Sequence, residues 1–509
     1  MQSLAGERSS IFFAFMGAKV LFFGVMTRFF LFLQINHVSK TSFSRMKTRV
    51  KTILFALTAM LLLASPIQQA TGLVKFKKLY GVMEEKHKPQ LTLRNWTEHR
   101  FQDDAEAYLQ QHYGLREPLT RLYNQYIWDF YGQTFAKERS WVFVSDDNWY
   151  YEAGYVQEFY EGSSWKYAKD SLEMATTLGR EALMLSQIQQ ILEGFNIPLF
   201  VLLEPGKEQI YPEHVPENTH YNREKVFSAH EFLHRRFEEL GVNFIDAGEW
   251  FLQMKDTADF PLFPQTGTHW SNLAAMYVAD SLIRYMEDLG DVNMTNFSIG
   301  KKYVKTKEPD DDLERLLNLM RPLKKAPNYY AKTKLIEDPT AVKPRLITIG
   351  DSFYWNILNH TPFKRIFDGV TYWYYFSSTY FDGPDGHVSD IDLLEKVMAA
   401  DFVMLAYSTP QQYELGNGFP ERFLTEWCYD EEEIEQLKAK TKESIRNNSK
   451  WMASIEQRAE ERQIPVDSLL SLETAYVIKK RPDQCFPALK DSVPTKHSAK
   501  AEKYLEHEP

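Results

Sequence analysis

The sequence predicts an α/β fold built on a mostly parallel sheet, and three observations carry that expectation. Short apolar runs with strand character recur at 197–203, 242–245, 346–349, 370–375 and 402–407. Helical patterns separate several of them, at 171–193, 222–239 and 272–286. A tight Gly350-Asp351-Ser352 turn closes one of the strands. Such alternation covers a parallel sheet with helices on both faces and opens ligand sites beyond the carboxyl ends of the strands.

Composition bounds the functional classes. With 509 residues, 44% hydrophobic and 15% aromatic, the chain exceeds one ordinary domain and can bury a sizeable core. A net charge of -10, with no Lys/Arg stripe interleaved with aromatics, argues against nucleic acid as a partner. The 2 cysteines, Cys428 and Cys485, have no metal-ligand spacing, so neither a metal site nor a cofactor is expected. Export would permit them to pair, but nothing in their spacing demonstrates it.

At the N-terminus, residues 11–33 are rich in Phe but interrupted by Lys19 and Arg28, each costly at a bilayer centre. Residues 53–64 are uninterrupted and follow Arg45, Lys47, Arg49 and Lys51, the charged and apolar regions of an export signal. Met46 opens this pattern, so residues 46–72 read as a signal peptide or signal anchor and residues 1–45 as an overlong start or apolar extension. Gln69-Ala70 is a poor cleavage site, whereas continuation through Pro66 and Ile67 would make an uncleaved anchor. Either way the remainder is expected outside the cytoplasm, periplasmic or extracytoplasmic and held at the membrane.

Residues 85–165 read as a module packed on the main domain, with helical periodicity through Phe101, Ala105, Tyr108 and Leu109 and again through Leu119, Leu122, Tyr126 and Ile127. The α/β domain occupies 166–425. Within it, the charged segment 300–340, including Glu308-Pro309-Asp310-Asp311-Asp312, reads as a surface insertion. Residues 426–489 form a helical C-terminal extension, and the small polar and charged residues of 490–509 suggest a disordered tail.

The chemistry centres on Ser352. A strand-to-turn elbow lifts a hydroxyl clear of the sheet edge, and a serine becomes a nucleophile when a histidine from elsewhere takes its proton. Among the 13 histidines, His269 has the most distinctive context, in Gln265-Thr266-Gly267-Thr268-His269-Trp270, a loop ahead of a helix. Taken alone, Gly, Asp and Ser are ordinary turn residues and a loop histidine is an ordinary cap; their combination raises both. Gly350 and Asp351 would build the elbow or its oxyanion donors. Lys207, after the first strand, would sit at the same sheet edge and could contact an anionic sugar; Trp270 could shape the pocket and Arg116 bind a carboxylate. Across 372–375, Tyr372, Trp373, Tyr374 and Tyr375 alternate, so at least two belong to the core.

These motifs resemble a known family. Thr266-Gly267-Thr268-His269-Trp270, the Gly350-Asp351-Ser352 elbow, the loop 204–216, Tyr113-Gly114-Leu115-Arg116-Glu117 and Asp147-Asn148-Trp149-Tyr150 look like the alginate O-acetyltransferase AlgX/AlgJ-like group of SGNH-hydrolase domains, related to DHHW proteins, over residues 95–425. The resemblance implies a three-layer α/β SGNH domain with Ser352 as nucleophile and His269 as base. It further implies a polysaccharide hydroxyl as acetyl acceptor and a membrane-bound O-acyltransferase as supplier of acetyl groups.

One position departs from the pattern. The family usually carries an aspartate two residues before the histidine, whereas this chain has Gly267, so the triad acid is unassigned. A backbone carbonyl, Asp246, Asp259 or Glu208 could orient the imidazole instead. Three functions follow: an exported O-acetyltransferase acting through an acetyl-serine, a carbohydrate acetylesterase using the same pair, and a non-catalytic polysaccharide-binding or assembly protein with a decayed triad.

Overall fold

The computed structural model describes residues 42–81, 85–132, 142–161, 171–217, 228–305, 310–323, 325–462 and 464–478. The apolar stretch 11–33, the tail from residue 490 and Cys485 lie outside the described residues. The chain forms two compact units, one of residues 1–142 with 313–324 and the other of residues 143–312 with 325–509.

The first unit is helical among its described residues: Ser42–Thr71, Leu93–Thr97, Arg100–His112 and Arg116–Tyr131. Pro66 lies inside the first helix without ending it. The apolar stretch Val50–Thr71, 22 residues, is long and apolar enough to cross a membrane. At 1.5 Å per residue it spans about 33 Å, against a hydrocarbon core of about 30 Å. Helix Arg116–Tyr131 holds the returning segment through polar contacts, with Asn124 Nδ2 donating to the Leu317 carbonyl at 2.8 Å and the Arg321 amide donating to Gln125 Oε1 at 3.0 Å.

The second unit is organised by a sheet whose strands, in chain order, are β1 Leu199–Glu204, β2 Phe244–Asp246, β3 Arg345–Gly350, β4 Gly369–Tyr374, β5 Ser378–Tyr380, β6 Gly386–His387 and β7 Phe402–Ser408. Across the sheet the order is β6-β5-β4-β3-β7-β1-β2. The five strands from β4 to β2 are parallel, and β5 and β6 add an antiparallel edge that the sequence reading did not anticipate.

Side-chain alternation divides the core in two. From β1, Phe200 and Leu202 face one layer while Leu199, Val201 and Leu203 face the other; β7 does the same with Met404 and Ala406 against Val403, Leu405 and Tyr407. The first layer contains helix Asn272–Gly290, whose Leu273, Met276, Leu282, Ile283 and Met286 are buried. The second contains helices Ser171–Glu193, Ala229–Leu240 and Phe419–Cys428. Each fully buried Leu, Ile or Met contributes about 2 kcal/mol relative to exposure, so the three layers hold one another. This is a three-layer α/β fold with a mostly parallel sheet.

Helix starts follow from local chemistry. Ser228 and Glu231 form a reciprocal capping box at Ala229–Leu240, and the Ser271 hydroxyl accepts the Ala274 amide at 3.2 Å ahead of Asn272–Gly290. At the C-terminus, helices Glu431–Asn447, Ser449–Arg462 and Val466–Ile478 bury Ile445, Ile455, Ala459, Leu469 and Leu470 among themselves.

At the end of β2, Asp246 caps helix Ala247–Met254 through the Glu249 amide at 3.0 Å and accepts His230 Nε2 at 2.9 Å and His234 Nδ1 at 2.7 Å. Burial would raise its pKa, but the His230 hydrogen bond and charge, with the Glu249 amide and His234, outweigh burial and hold it down to about 2. A depressed carboxyl stabilises the fold above its unfolded pKa and loses that contribution as pH falls through the folded value. Asp246→Asn should therefore cost about 2 kcal/mol of unfolding free energy at neutral pH. The cost should vanish as pH drops below about 2, measured by urea denaturation across an acid series.

Candidate active site

The elbow after β3 is built by crowding. A Cβ on Gly350 would lie 2.6 Å from the Ala406 carbonyl oxygen of β7, so only glycine fits where the two strands meet. The next residue, Asp351, is fully buried and points away from the opening: Oδ1 accepts the Phe353 amide at 3.0 Å, and Oδ2 accepts the Ser408 amide at 2.7 Å and hydroxyl at 2.5 Å. The Asp351 amide donates to the Ala406 carbonyl at 3.1 Å, which removes it as an oxyanion donor. Gly350 and Asp351 thus shape the turn, and Ser352 is left half-buried at its apex.

His269 reaches that apex. Its Nε2 lies 2.8 Å from Ser352 Oγ, and its Nδ1 lies 3.1 Å from Asp312 Oδ2. The other oxygen of Asp312 accepts the Thr268 amide at 2.9 Å, so one carboxylate fixes both the imidazole and the backbone beside it. Burial works against the imidazolium, but the Asp312 hydrogen bond and charge, with Asp351 and Glu152, outweigh it and raise the His269 pKa above its ordinary 6.5. Glu152 is also tied to the loop, accepting the Thr268 hydroxyl at 3.1 Å.

Asp312 comes from the charged segment that the sequence suggested was a surface insertion. Asp310 explains why that reading fails at this point: it is buried, accepting Asn272 Nδ2 at 3.0 and 2.9 Å and the Tyr330 hydroxyl, while its carbonyl accepts the Thr266 hydroxyl at 2.8 Å. Burial pushes its carboxyl up to about 6. Two short antiparallel pairs, Phe297–Ile299 with Thr333–Leu335 and Tyr303–Val304 with Tyr329–Tyr330, flank it in sequence. A run of three aspartates carries no mark of which one reaches the histidine, and a partner 43 positions from His269 leaves no local spacing signal.

The other anticipated carboxylates are engaged elsewhere. Asp246 serves His230 and His234, Asp259 is exposed and paired with Lys302, and Glu208 is buried with its carboxyl pushed up to about 8 by burial. Lys207 does not face a sugar. It is buried, donating to the Tyr150 carbonyl at 2.8 Å and the Gln265 carbonyl at 3.3 Å, so it braces the His269 loop. Burial lowers its pKa to about 7. Trp270 is likewise fully buried, packing its ring 5.5 Å from Phe353, while its carbonyl accepts Asn356 Nδ2 at 2.9 Å. Arg116 belongs to the other compact unit, at the start of helix Arg116–Tyr131.

Comparison with known proteins bears on this geometry. Residues 159–353 match the family described as the SGNH hydrolase-like domain of acetyltransferase AlgX, a stretch that contains His269, Asp312 and Ser352. That stretch is similar to an AlgX-type SGNH hydrolase-like domain. Solved structures similar to the chain include the O-acetyltransferase domain of Pseudomonas putida AlgJ, at 16% identity over 54% of this chain and 93% of that one, with a TM-score of 0.36. Pseudomonas aeruginosa AlgX is 11% identical over 56% of this chain and 69% of that chain, with a TM-score of 0.37. Bacillus cereus PatB1 is 12% identical over 53% of this chain and 96% of that chain, with a TM-score of 0.34. No curated protein sequence matches the chain.

The crowding at Gly350 can be tested by stability. Gly350→Ala should destabilise the protein by about 1–3 kcal/mol through overpacking. Gly369→Ala, whose added Cβ would meet only Arg345 Cγ at 3.6 Å, should cost less. Equal losses in chemical denaturation of the two variants would refute the crowding argument.

Proposed function

We propose that the protein is an exported O-acetyltransferase that modifies an extracellular or cell-envelope polysaccharide through an acetyl-serine at Ser352. The observation that carries the reading is the continuous line of hydrogen bonds from Asp312 through His269 to Ser352, at 3.1 and 2.8 Å. The match of residues 159–353 to an acetyltransferase domain supports the acyl chemistry, and the apolar helix Val50–Thr71 supports export or anchoring outside the cytoplasm.

In this reading Ser352 Oγ attacks the acetyl carbonyl while His269 Nε2 takes the hydroxyl proton. Asp312 holds the imidazole with Nε2 toward the serine and stabilises the imidazolium that forms. The leaving group departs with that proton, leaving the acetyl ester on Ser352. A sugar hydroxyl then attacks the ester, its proton passes to His269, and the proton returns to Ser352 Oγ as the acetylated sugar leaves. A membrane-bound O-acyltransferase would supply the acetyl groups. The non-catalytic alternative drew its force from Gly267, and Asp312 supplies the carboxylate that glycine lacks.

The test is active-site labelling of the exported protein with a sulfonyl fluoride, followed by acetyl transfer with sugar acceptors. Ser352 should be the labelled residue, and Ser352→Ala should abolish labelling. Acetylated glycan, measured against free acetate, separates a transferase from an esterase. An unlabelled Ser352 would remove the enzymatic reading altogether.

The role of Asp312 is tested by pH. The raised His269 pKa places the rise of kcat/KM with pH above the ordinary 6.5, because the base works only when unprotonated. Asp312→Asn should lower kcat by about 10³–10⁴-fold. It should also move the inflection to lower pH, since the charge that favours the imidazolium is gone. An inflection that stays in place would show that Asp312 does not act through His269.

A further inference from the structure

A run of aromatic rings leads away from Ser352. Tyr375 lies beside Ser352, and its ring is 4.5 Å from that of Tyr374. Tyr374 is 6.2 Å from Trp355, which in turn is 5.9 Å from Phe381 and 5.2 Å from Tyr380. Trp355 sits one turn beyond the nucleophile, its amide donating to the Ser352 carbonyl at 3.3 Å. At the far end Phe381 is 42% exposed, with Lys364 Nζ 4.4 Å from its ring centroid.

The inner rings, Trp355, Tyr374 and Tyr380, pack against the first layer of the core, and the run opens outward from there. Burial declines along the run, from half-buried Tyr374 and Trp355 to exposed Phe381 and Lys364, whereas core aromatics such as Tyr372 and Trp373 are enclosed. Tyr375, at a φ of 49°, stands in the turn that joins β4 to β5, and Phe381, at 69°, in the bend just past β5, so both rings are carried at the sheet edge by turns.

We infer that Trp355, Phe381 and Lys364 form the acceptor subsite, on which the pyranose rings of a polysaccharide lie while one hydroxyl reaches the acyl group on Ser352. The axial C–H face of a pyranose carries slight positive charge and is complementary to the negative face of an aromatic ring. Lys364 offers hydrogen-bond donors to the hydroxyls or carboxylates that project from the sugar edge. The rings continue from the nucleophile outward, so a sugar at Phe381 and one at Ser352 can belong to a single chain. The inference rests on the reading of Ser352 as the acetyl-carrying residue.

Binding is measured without catalysis, using full-length Ser352→Ala protein titrated with cellohexaose and with a mannuronate hexamer while tryptophan emission is followed. At least one oligosaccharide should bind and change the emission, and Phe381→Ala in the same background should weaken it about tenfold, the scale of one lost stacking contact. Phe381 is exposed, so this substitution spares the core; Trp355→Phe, which keeps a ring but removes its emission, should abolish most of the optical change while retaining binding. In the wild-type background Phe381→Ala should raise KM for the acceptor more than it lowers kcat. The inference is overturned if neither oligosaccharide binds or if Phe381→Ala leaves affinity unchanged. Loss of Ser352 labelling with binding intact would instead remove the acetyl-serine and leave the subsite standing.

Discussion

The carboxylate of Asp312 is the contact on which the candidate site depends. One oxygen takes the Thr268 amide and the other takes His269 Nδ1, so a single group sets both the position of the loop and the rotation of the ring. With Nδ1 committed, Nε2 is the only ring nitrogen facing Ser352. The geometry is therefore directional, with charge on one side of the imidazole and the hydroxyl on the other.

Other acids surround the histidine loop. Asp310 is enclosed by Asn272 and Tyr330, Glu152 ties to Thr268, and Asp351 anchors the elbow to the end of β7. Burial raises the pKa of each of these three carboxyls. Lys207 contributes from below, bracing the carbonyls of Tyr150 and Gln265. The residues around the serine thus serve mainly to place the histidine loop, and few of them are free to touch a substrate.

The legible part of the protein is the part with a short-range signature. Alternating apolar runs marked the five parallel strands, because a strand buried on both faces must be apolar at successive positions. The elbow was readable because the glycine and the serine are consecutive with the strand. The edge strands Ser378–Tyr380 and Gly386–His387 were missed, being short and half-polar. Lys207 and Trp270 were readable as neighbours of the site but not as buried supports, since neither residue type announces whether it faces solvent.

By itself the sequence determined the fold class and singled out Ser352 and His269 as candidates, each from its own local context, while the family resemblance marked Gly267 as lacking the usual acid. Only the tertiary structure decided what stands in for that acid. A backbone carbonyl, Asp246, Asp259 and Glu208 were the candidates legible in the sequence, and Asp312, which reaches His269, was not among them. Its place is settled by hydrogen bonds between segments tens of residues apart, whose partners carry no common spacing or composition.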